Sequence, residues 1–449
     1  MAKHYDVIII GGGPAGLFAA LELSKAPGLD VLLIEKGKDI DDRSNIVSGL
    51  GGAGAFSDGK LTLSPETGGH LKDYLGIPEA KTVIEYVDGV YRQFGGPDKL
   101  FGIGNEVEKI RRQASSAGLH LVTVPVRHLG TDNCRSVLRV LRDNLGPNIQ
   151  IRLGVTASKI TVYGGKAVGV ETSSGEKLEC RYLILAPGRE GASWLSSEAK
   201  RLNLTVYNNP VDVGVRVELK AEVMRAMTDV LYEAKLEYSS RTFNDRVRTF
   251  CMCPVGEVII ETTGGDDPVI TVNGQSYSAQ KTDNTNFALL VTTNFTEPFH
   301  EPIAYGKYLA KLANMLGSGV LVQRLGDLLS GHRSTQSRIE QGAVRPTLKN
   351  ATPGDLSFVL PYRHLTGIIE MLQVMDKLAP GVYGGDTLLY GVEVKFYSHR
   401  LSLTSNLETE VGDLFAIGDG AGVSRGLIQA SASGVIAARQ ILKTCVHLH

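Results

Sequence analysis

The chain has 449 residues, 43% of them apolar and 21% charged, with a formal net charge of −1. That length exceeds one ordinary hydrophobic core and suits two domains, or one domain carrying a large insertion. The balanced charge leaves no general basic field for nucleic acid or an anionic membrane. Five cysteines, Cys134, Cys180, Cys251, Cys253 and Cys445, are too sparse for a secreted disulfide framework. No run approaches the roughly 20 apolar residues of a membrane span, so the expectation is a soluble, cytoplasmic protein.

In chain order, Tyr5 to Ile10 reads as a strand buried on both faces, Gly11 to Gly16 as a turn, and Leu17 to Lys25 as a helix ended by Ala26-Pro27-Gly28. Val31 to Ile34 is the next buried strand, closing a βαβ unit within about 30 residues. A glycine-rich loop runs from Ser48 to Lys60. Helices are expected over 80–94, 107–117 and 135–145, and strands over 149–153, 157–162, 167–172 and 177–180. Tyr182 to Leu185 is another buried strand, entering the turn Ala186-Pro187-Gly188. Residues 191–405 mix strands (211–219, 257–261, 287–293, 389–396) with helices (303–316, 365–378) and read as a second, α+β domain. Leu414 to Gly420 is again strand into glycine turn, followed by a helix over 426–443, so the chain returns to its first domain. The expected division is 1–190 and 406–449 for one domain and 191–405 for the other.

Gly11-Gly12-Gly13-Pro14-Ala15-Gly16 fits G-x-G-x-x-G. Gly11 serves the tight turn, Gly13 a close backbone approach to a pyrophosphate, and Gly16 helix–strand packing, with the helix N-terminus facing the anion. Glu35, followed by Lys36, ends the second strand 19 residues after Gly16, where an acid can bind a ribose diol. A bare glycine turn is the competing reading, and the strand, helix and acid around it argue against that. No second G-x-G-x-x-G follows a strand after residue 35. A resident second nucleotide domain is therefore not expected, and reducing power is assigned to transient NAD(P)H, another redox protein or the substrate.

Leu183 to Arg189, containing Ala186 and Gly188, resembles the mid-chain strand of two-dinucleotide flavoproteins. Leu414 to Gly420, containing Gly418 and Asp419, resembles their C-terminal FAD motif. The chain as a whole is similar to a bacterial and archaeal family of FAD-dependent, NAD-utilising dehydrogenases. The segments Ser48–Leu61, Val213–Glu218, Thr249–Pro254 and Gly418–Gly422 carry that likeness. The resemblance implies an α/β fold: a Rossmann-like FAD-binding domain of the glutathione reductase type with an inserted α+β substrate domain. It also implies that Asp419 contacts the ribityl-pyrophosphate region and that Val155 offers adenine a backbone contact. The helix opened by Gly426-Leu427-Ile428 would then face the flavin pyrimidine edge.

Beside the ring, the loop supplies Gly52, Ala53, Ser57, Asp58 and Lys60 as candidate contacts. For substrate chemistry, Tyr397 and His399 are candidate proton donors, and Arg333, Arg345 and Arg216 candidate carboxylate clamps. A surface or interdomain salt bridge is the plainer role for each of these. Cys251-Met252-Cys253 reads as packing residues before it reads as a redox pair, and no metal site is expected. The function that follows is FAD-dependent two-electron dehydrogenation or reduction of a small organic substrate. Two alternatives stand beside it: a flavin monooxygenase, and a flavin-binding scaffold or RNA-modification protein.

Overall fold

The computed structural model describes residues 4–43, 48–57, 59–207, 210–263, 267–277, 280–293, 295, 299, 301–396 and 398–446. The chain forms two compact units. One comprises residues 1–99, 127–209 and 397–449, the other residues 100–126 and 210–396. These limits differ from the expected 190 and 405. Segments 191–209 and 397–405 pack with the first unit. Segment 100–126 packs with the second, because the buried stripe Val107, Ile110 and Ala114 joins the second unit's core and His120–Leu121 pairs with Leu236–Ser239. An amphipathic stripe says that a face is buried and not against which partner.

In the first unit, parallel strands lie in the order Ile149–Leu153, Val31–Glu35, His4–Ile10, Lys177–Leu185 and Leu414–Ala416. Val7, Ile8, Ile9, Val31, Leu32 and Leu33 are fully buried, as continuous apolar runs in a parallel sheet should be. Lys177–Leu185 is a single strand where two were expected. Its first half pairs with the antiparallel strand Lys166–Thr172 and its second half with Leu414–Ala416. The parallel register aligns Ile10 with both Ile34 and Leu185, and Leu185 with Ala416. Four strands therefore end at one edge, where the glycine turns cluster.

The helices flanking this sheet include Pro14–Leu23, Ile77–Gln93, Thr131–Asp143 and Leu427–Val446. Two begin before the expected 80 and 135, since the first turns, 77–79 and 131–133, carry no helical apolar periodicity, and Pro78 marks the start of the former. The glycine loop winds into a short 3₁₀ turn, Gly52–Phe56.

The second unit holds a mainly antiparallel sheet in the order Thr352–Pro353, Leu321–Arg324, Leu388–Lys395, Val211–Lys220, Asn284–Thr293, Arg246–Cys253, Leu236–Ser239 and His120–Leu121. Along Val211–Lys220 the residues alternate strictly. Val211, Val213, Val215, Val217 and Leu219 share an apolar core with the helices Ala221–Leu231 and Tyr362–Met375. Asp212, Arg216 and Glu218 occupy the opposite face and are nonetheless buried. The hairpin Glu257–Thr263/Val269–Gln275 covers that face. A Cβ placed on its Gly274 would lie 1.9 Å from Arg216 Nη2.

Candidate functional site

The strand ends of the first unit converge on the glycine corner. A Cβ at Gly11 would sit 2.1 Å from Ala186 O, and one at Gly16 would sit 2.0 Å from Gly11 O. Both positions therefore exclude a side chain by packing alone. Gly13 differs. Its φ of −74° suits any residue, and an added Cβ would meet nothing nearer than Gly52 Cα at 3.8 Å. The protein's own packing makes no demand for glycine there. Pro14 opens the helix, and Ala15 Cβ lies 3.1 Å from the Cβ that Gly418 would carry. The loop reaches the same place: a Cβ at Gly54 would be 2.6 Å from Pro14 Cγ and 2.9 Å from Leu427 Cδ2. A Cβ at Gly420 would likewise lie 2.4 Å from Gly188 O. The structure thus gathers Gly11–Gly16, the 52–56 turn, Ala186–Gly188, Gly418–Gly420 and the start of the last helix.

Glu35 is 6% exposed at the end of its strand. Its Oε2 accepts from Gly12 N at 2.9 Å, and its Oε1 accepts from Gly37 N at 2.9 Å and Gly49 N at 3.1 Å. An ionised carboxylate has about four acceptor sites, so three backbone donors leave room for one more. Beyond the expected ribose contact, Glu35 ties the glycine corner to the loop. Arg43, which no sequence pattern singles out, grips that loop from its other side. Its Nη1 donates to Gly49 O (3.1 Å), Leu50 O (2.8 Å) and Gly52 O (2.8 Å). Arg43 and Arg135 both lie against the Phe56 ring, 4.9 and 4.7 Å from its centre. Burial pushes the Arg43 guanidinium down to about 10, with Glu35 acting against that shift and Arg135 adding to it. A solitary arginine in a polar loop has no periodicity to betray it.

Other expected contacts hold positions of their own. Lys36 is exposed and pairs with Glu190 at 3.4 Å. Ser57 Oγ donates to Gly54 O at 3.0 Å, and Lys60 opens a short strand. The N–H of Val155 donates to Glu35 O at 3.0 Å, which leaves its carbonyl as the backbone group for any ligand contact there. Ala186 N donates to Ile10 O, and Gly418 N donates to Ser433 Oγ at 3.0 Å. The Asp419 side chain is 26% exposed. Burial raises its carboxyl above the usual range, against Arg189 at 3.9 Å, the Ser424 hydroxyl at 2.5 Å and Arg425. Gly426 precedes the last helix, whose first residues are Leu427 and Ile428.

Among the candidates for substrate chemistry, Tyr397 and the loop's Asp58 lie outside the described residues. His399 belongs to the first unit and is half-buried, its Nδ1 3.2 Å from Ser196 Oγ. It lines a cleft with Ala192, Leu195, Val206, Leu401 and Gly420. Burial lowers its pKa, and Lys200 adds to the shift. Arg333 is exposed, in the second unit. Arg345 donates to the carbonyl of Glu340.

Arg216 is no carboxylate clamp for a ligand. It is fully buried, its Nη1 3.3 Å from both Glu393 oxygens and its Nε 2.8 Å from Asn286 Oδ1. Its Nη2 donates to Cys251 O at 2.6 Å and lies 3.4 Å from Cys253 Sγ. The strand alternation that puts valines in the core turns Arg216 onto the covered face. None of the five cysteines, all among the described residues, is in a disulfide. Among the described residues no group of three or more His, Cys, Asp or Glu is placed to hold a metal ion, and no helix is long and apolar enough to cross a membrane.

A parallel sheet ending in a glycine corner, with an acid at the end of the next strand, defines a dinucleotide-binding α/β unit. The chain belongs to the FAD dependent oxidoreductase family, whose model matches residues 6–276. A second model, FAD-dependent protein, C-terminal domain-like, matches residues 210–396. The protein is therefore an FAD-dependent oxidoreductase. It is 28% identical over 476 aligned positions to an uncharacterised protein of Clostridium beijerinckii, covering 97% of this chain and 80% of that one. A stretch of 51 residues is 49% identical to digeranylgeranylglycerophospholipid reductase 2 of Methanococcoides burtonii, covering 11% and 12% of the two chains. Among solved structures, glycine oxidase from Geobacillus kaustophilus is similar with a TM-score of 0.42 and 13% identity, over 98% of this chain and 95% of that one. L-proline dehydrogenase from P. horikoshii gives 0.43 and 11%, over 99% and 95%.

The residues present fit the cofactor that the family implies. Among Gly11, Gly12, Gly13 and Gly16, Gly13 is the position whose missing side chain keeps an approach open instead of relieving a clash. Glu35 retains acceptor capacity beside it.

Proposed function

We propose that FAD binds this corner in the glutathione reductase manner and that the protein carries out two-electron dehydrogenation or reduction of a small organic substrate. Gly13 carries the reading: neither its backbone angles nor its neighbours require glycine, whereas a pyrophosphate brought against the backbone does. Glu35 would hold the adenosine ribose, Asp419 the ribityl-pyrophosphate region, and the backbone donors of the corner the phosphates. Bound FAD supplies the hydride or electron acceptor, which no side chain can provide. The protein's share is to orient the cofactor, exclude water and manage protons. For that last task His399 is proposed, since it lines the cleft that Gly420 borders, with its Nδ1 3.2 Å from Ser196 Oγ.

The test is a titration of cofactor-free protein with FAD, followed by anaerobic reduction with NADH and with NADPH and reoxidation by a panel of small organic acceptors. Gly13→Val should keep the thermal transition of the ligand-free chain and weaken FAD binding by at least 100-fold. Unchanged affinity in that variant would remove the proposed site. Reduction by neither nicotinamide would leave the substrate or another redox protein as the electron source.

A further inference from the structure

Residues 64–71, which no motif includes, lie along the turn before the last helix and along that helix's first turns. His70 N donates to Val423 O at 2.8 Å, and Arg425 N donates to Gly68 O at 2.9 Å. Gly69 and Ser424 form an antiparallel bridge between them. The approach is close: with φ at +151°, a Cβ on Gly69 would lie 2.8 Å from Ser424 Cα.

One side chain closes this seam. Gln429, 1% exposed, donates from Nε2 to the carbonyl oxygens of Thr67 (2.8 Å), Ser64 (3.2 Å) and Pro65 (3.4 Å). Its Oε1 accepts from Leu71 N at 3.2 Å. Three acceptors on one side and a donor on the other fix which way the amide points. No apolar side chain meets both sets, and a carboxylate would face the three carbonyls with a charge of the wrong sign. The strap reaches the site through Ser424, which is bridged to Gly69 and donates from Oγ to Asp419 Oδ1 at 2.5 Å.

We infer that Gln429 is a positioning residue for the cofactor: by holding strap 64–71 it holds Ser424, and through Ser424 the Asp419 carboxylate. The inference rests on the FAD reading of Asp419 given above. Its test uses the full chain, with FAD as the probe and Gln429→Glu as the main variant. Gln429→Met is the volume-conserving control should the charged variant fold poorly. Hydrogen exchange of ligand-free protein should quicken at 68–71 and 424–425 in both variants. FAD should bind Gln429→Glu at least 10-fold more weakly than wild type at pH 8. The deficit should shrink at least threefold at pH 5.5, where the introduced carboxyl, once protonated, regains an O–H donor for the strap carbonyls.

His70, Asp73, Arg400 and Arg425 also carry or can carry charge near the strap, and Asp419 itself titrates. The wild-type ratio at the same two pH values removes their share. A strap that exchanges faster while FAD affinity stays within twofold of wild type overturns the inference, and so does unchanged exchange in both variants. Absence of FAD binding by wild type defeats the cofactor reading itself, and the exchange data then still report whether Gln429 holds the strap.

Discussion

Two sites, one in each unit, bury charge in opposite ways. At the glycine corner Glu35 sits almost wholly enclosed with three backbone N–H groups for company, so its partners are main-chain dipoles of its own neighbourhood. Beneath the hairpin of the second unit, Arg216 and Lys395 are balanced by Glu393 and Glu261. Lys395 Nζ lies 3.0 Å from Glu393 Oε1 and 3.7 Å from Glu261 Oε2. Close by, Glu218 accepts from neutral donors, Tyr390 OH (2.5 Å), Thr347 Oγ1 (2.5 Å) and Asn284 Nδ2 (3.1 Å). Burial raises its carboxyl in spite of those donors. The first arrangement leaves acceptor capacity at the proposed ribose site, and the second consumes its charges internally. A buried charge marks a binding site only when its partners leave some of its valence unspent.

Breaking the internal cluster should produce the largest effect. Glu393→Ala strands the Arg216 guanidinium inside the sheet, and removing one member of a buried pair typically costs about 3–5 kcal/mol. Urea unfolding followed by far-UV circular dichroism should show a loss of that size. A loss below about 1 kcal/mol would mean that Lys395, Glu393 and Arg216 are less tightly coupled than their distances imply.

A smaller, pH-dependent loss is expected from His364, whose Nε2 lies 2.9 Å from Thr293 Oγ1. Burial pushes this imidazole down to about 4, Asp245 works against the shift and Arg363 adds to it. An unfolded histidine titrates near about 6.5. Stability from this group is therefore complete above that value, falls as pH drops from about 6.5 toward 4, and levels off below. The full loss is about 3 kcal/mol. His364→Gln should flatten this part of the stability profile, and an unchanged acid slope would assign the loss to other groups.

The least destabilising change is expected at the corner. Glu35→Gln turns charge-assisted bonds into neutral ones and sets an N–H against a backbone donor, at a cost of about 1–3 kcal/mol. Because the same carboxylate faces the proposed ribose site, FAD affinity should fall by about 10-fold or more, read by flavin fluorescence quenching. A loss of ligand-free stability with no loss in affinity would make Glu35 a loop tie alone and erase the contrast between the units.

How much of this is legible in the sequence follows sequence distance. Gly11, Gly16, Glu35 and the strand around them lie within about 30 residues, and each residue type answers a local geometric demand, so reading them in order is enough. Arg43 escapes such a reading because its role depends on where Gly49, Leu50 and Gly52 turn their carbonyls. Gln429 escapes it because its partners are more than 350 residues away in the chain. Arg216 looks like a ligand clamp for a related reason: alternation announces two faces of a strand, and nothing in the strand tells which face a distant hairpin will cover.

The sequence by itself determined the parallel buried strands, the nucleotide corner and the return of the chain to its first unit, because those features follow from side-chain periodicity and from backbone conformations that specific residues permit. Only the tertiary structure decided that 100–126 belongs to the second unit, that the charges of Arg216 and Glu393 cancel inside a sheet, and that one glutamine holds a strap beside Asp419. Such assignments depend on which long-range surfaces meet, and no local propensity encodes that meeting.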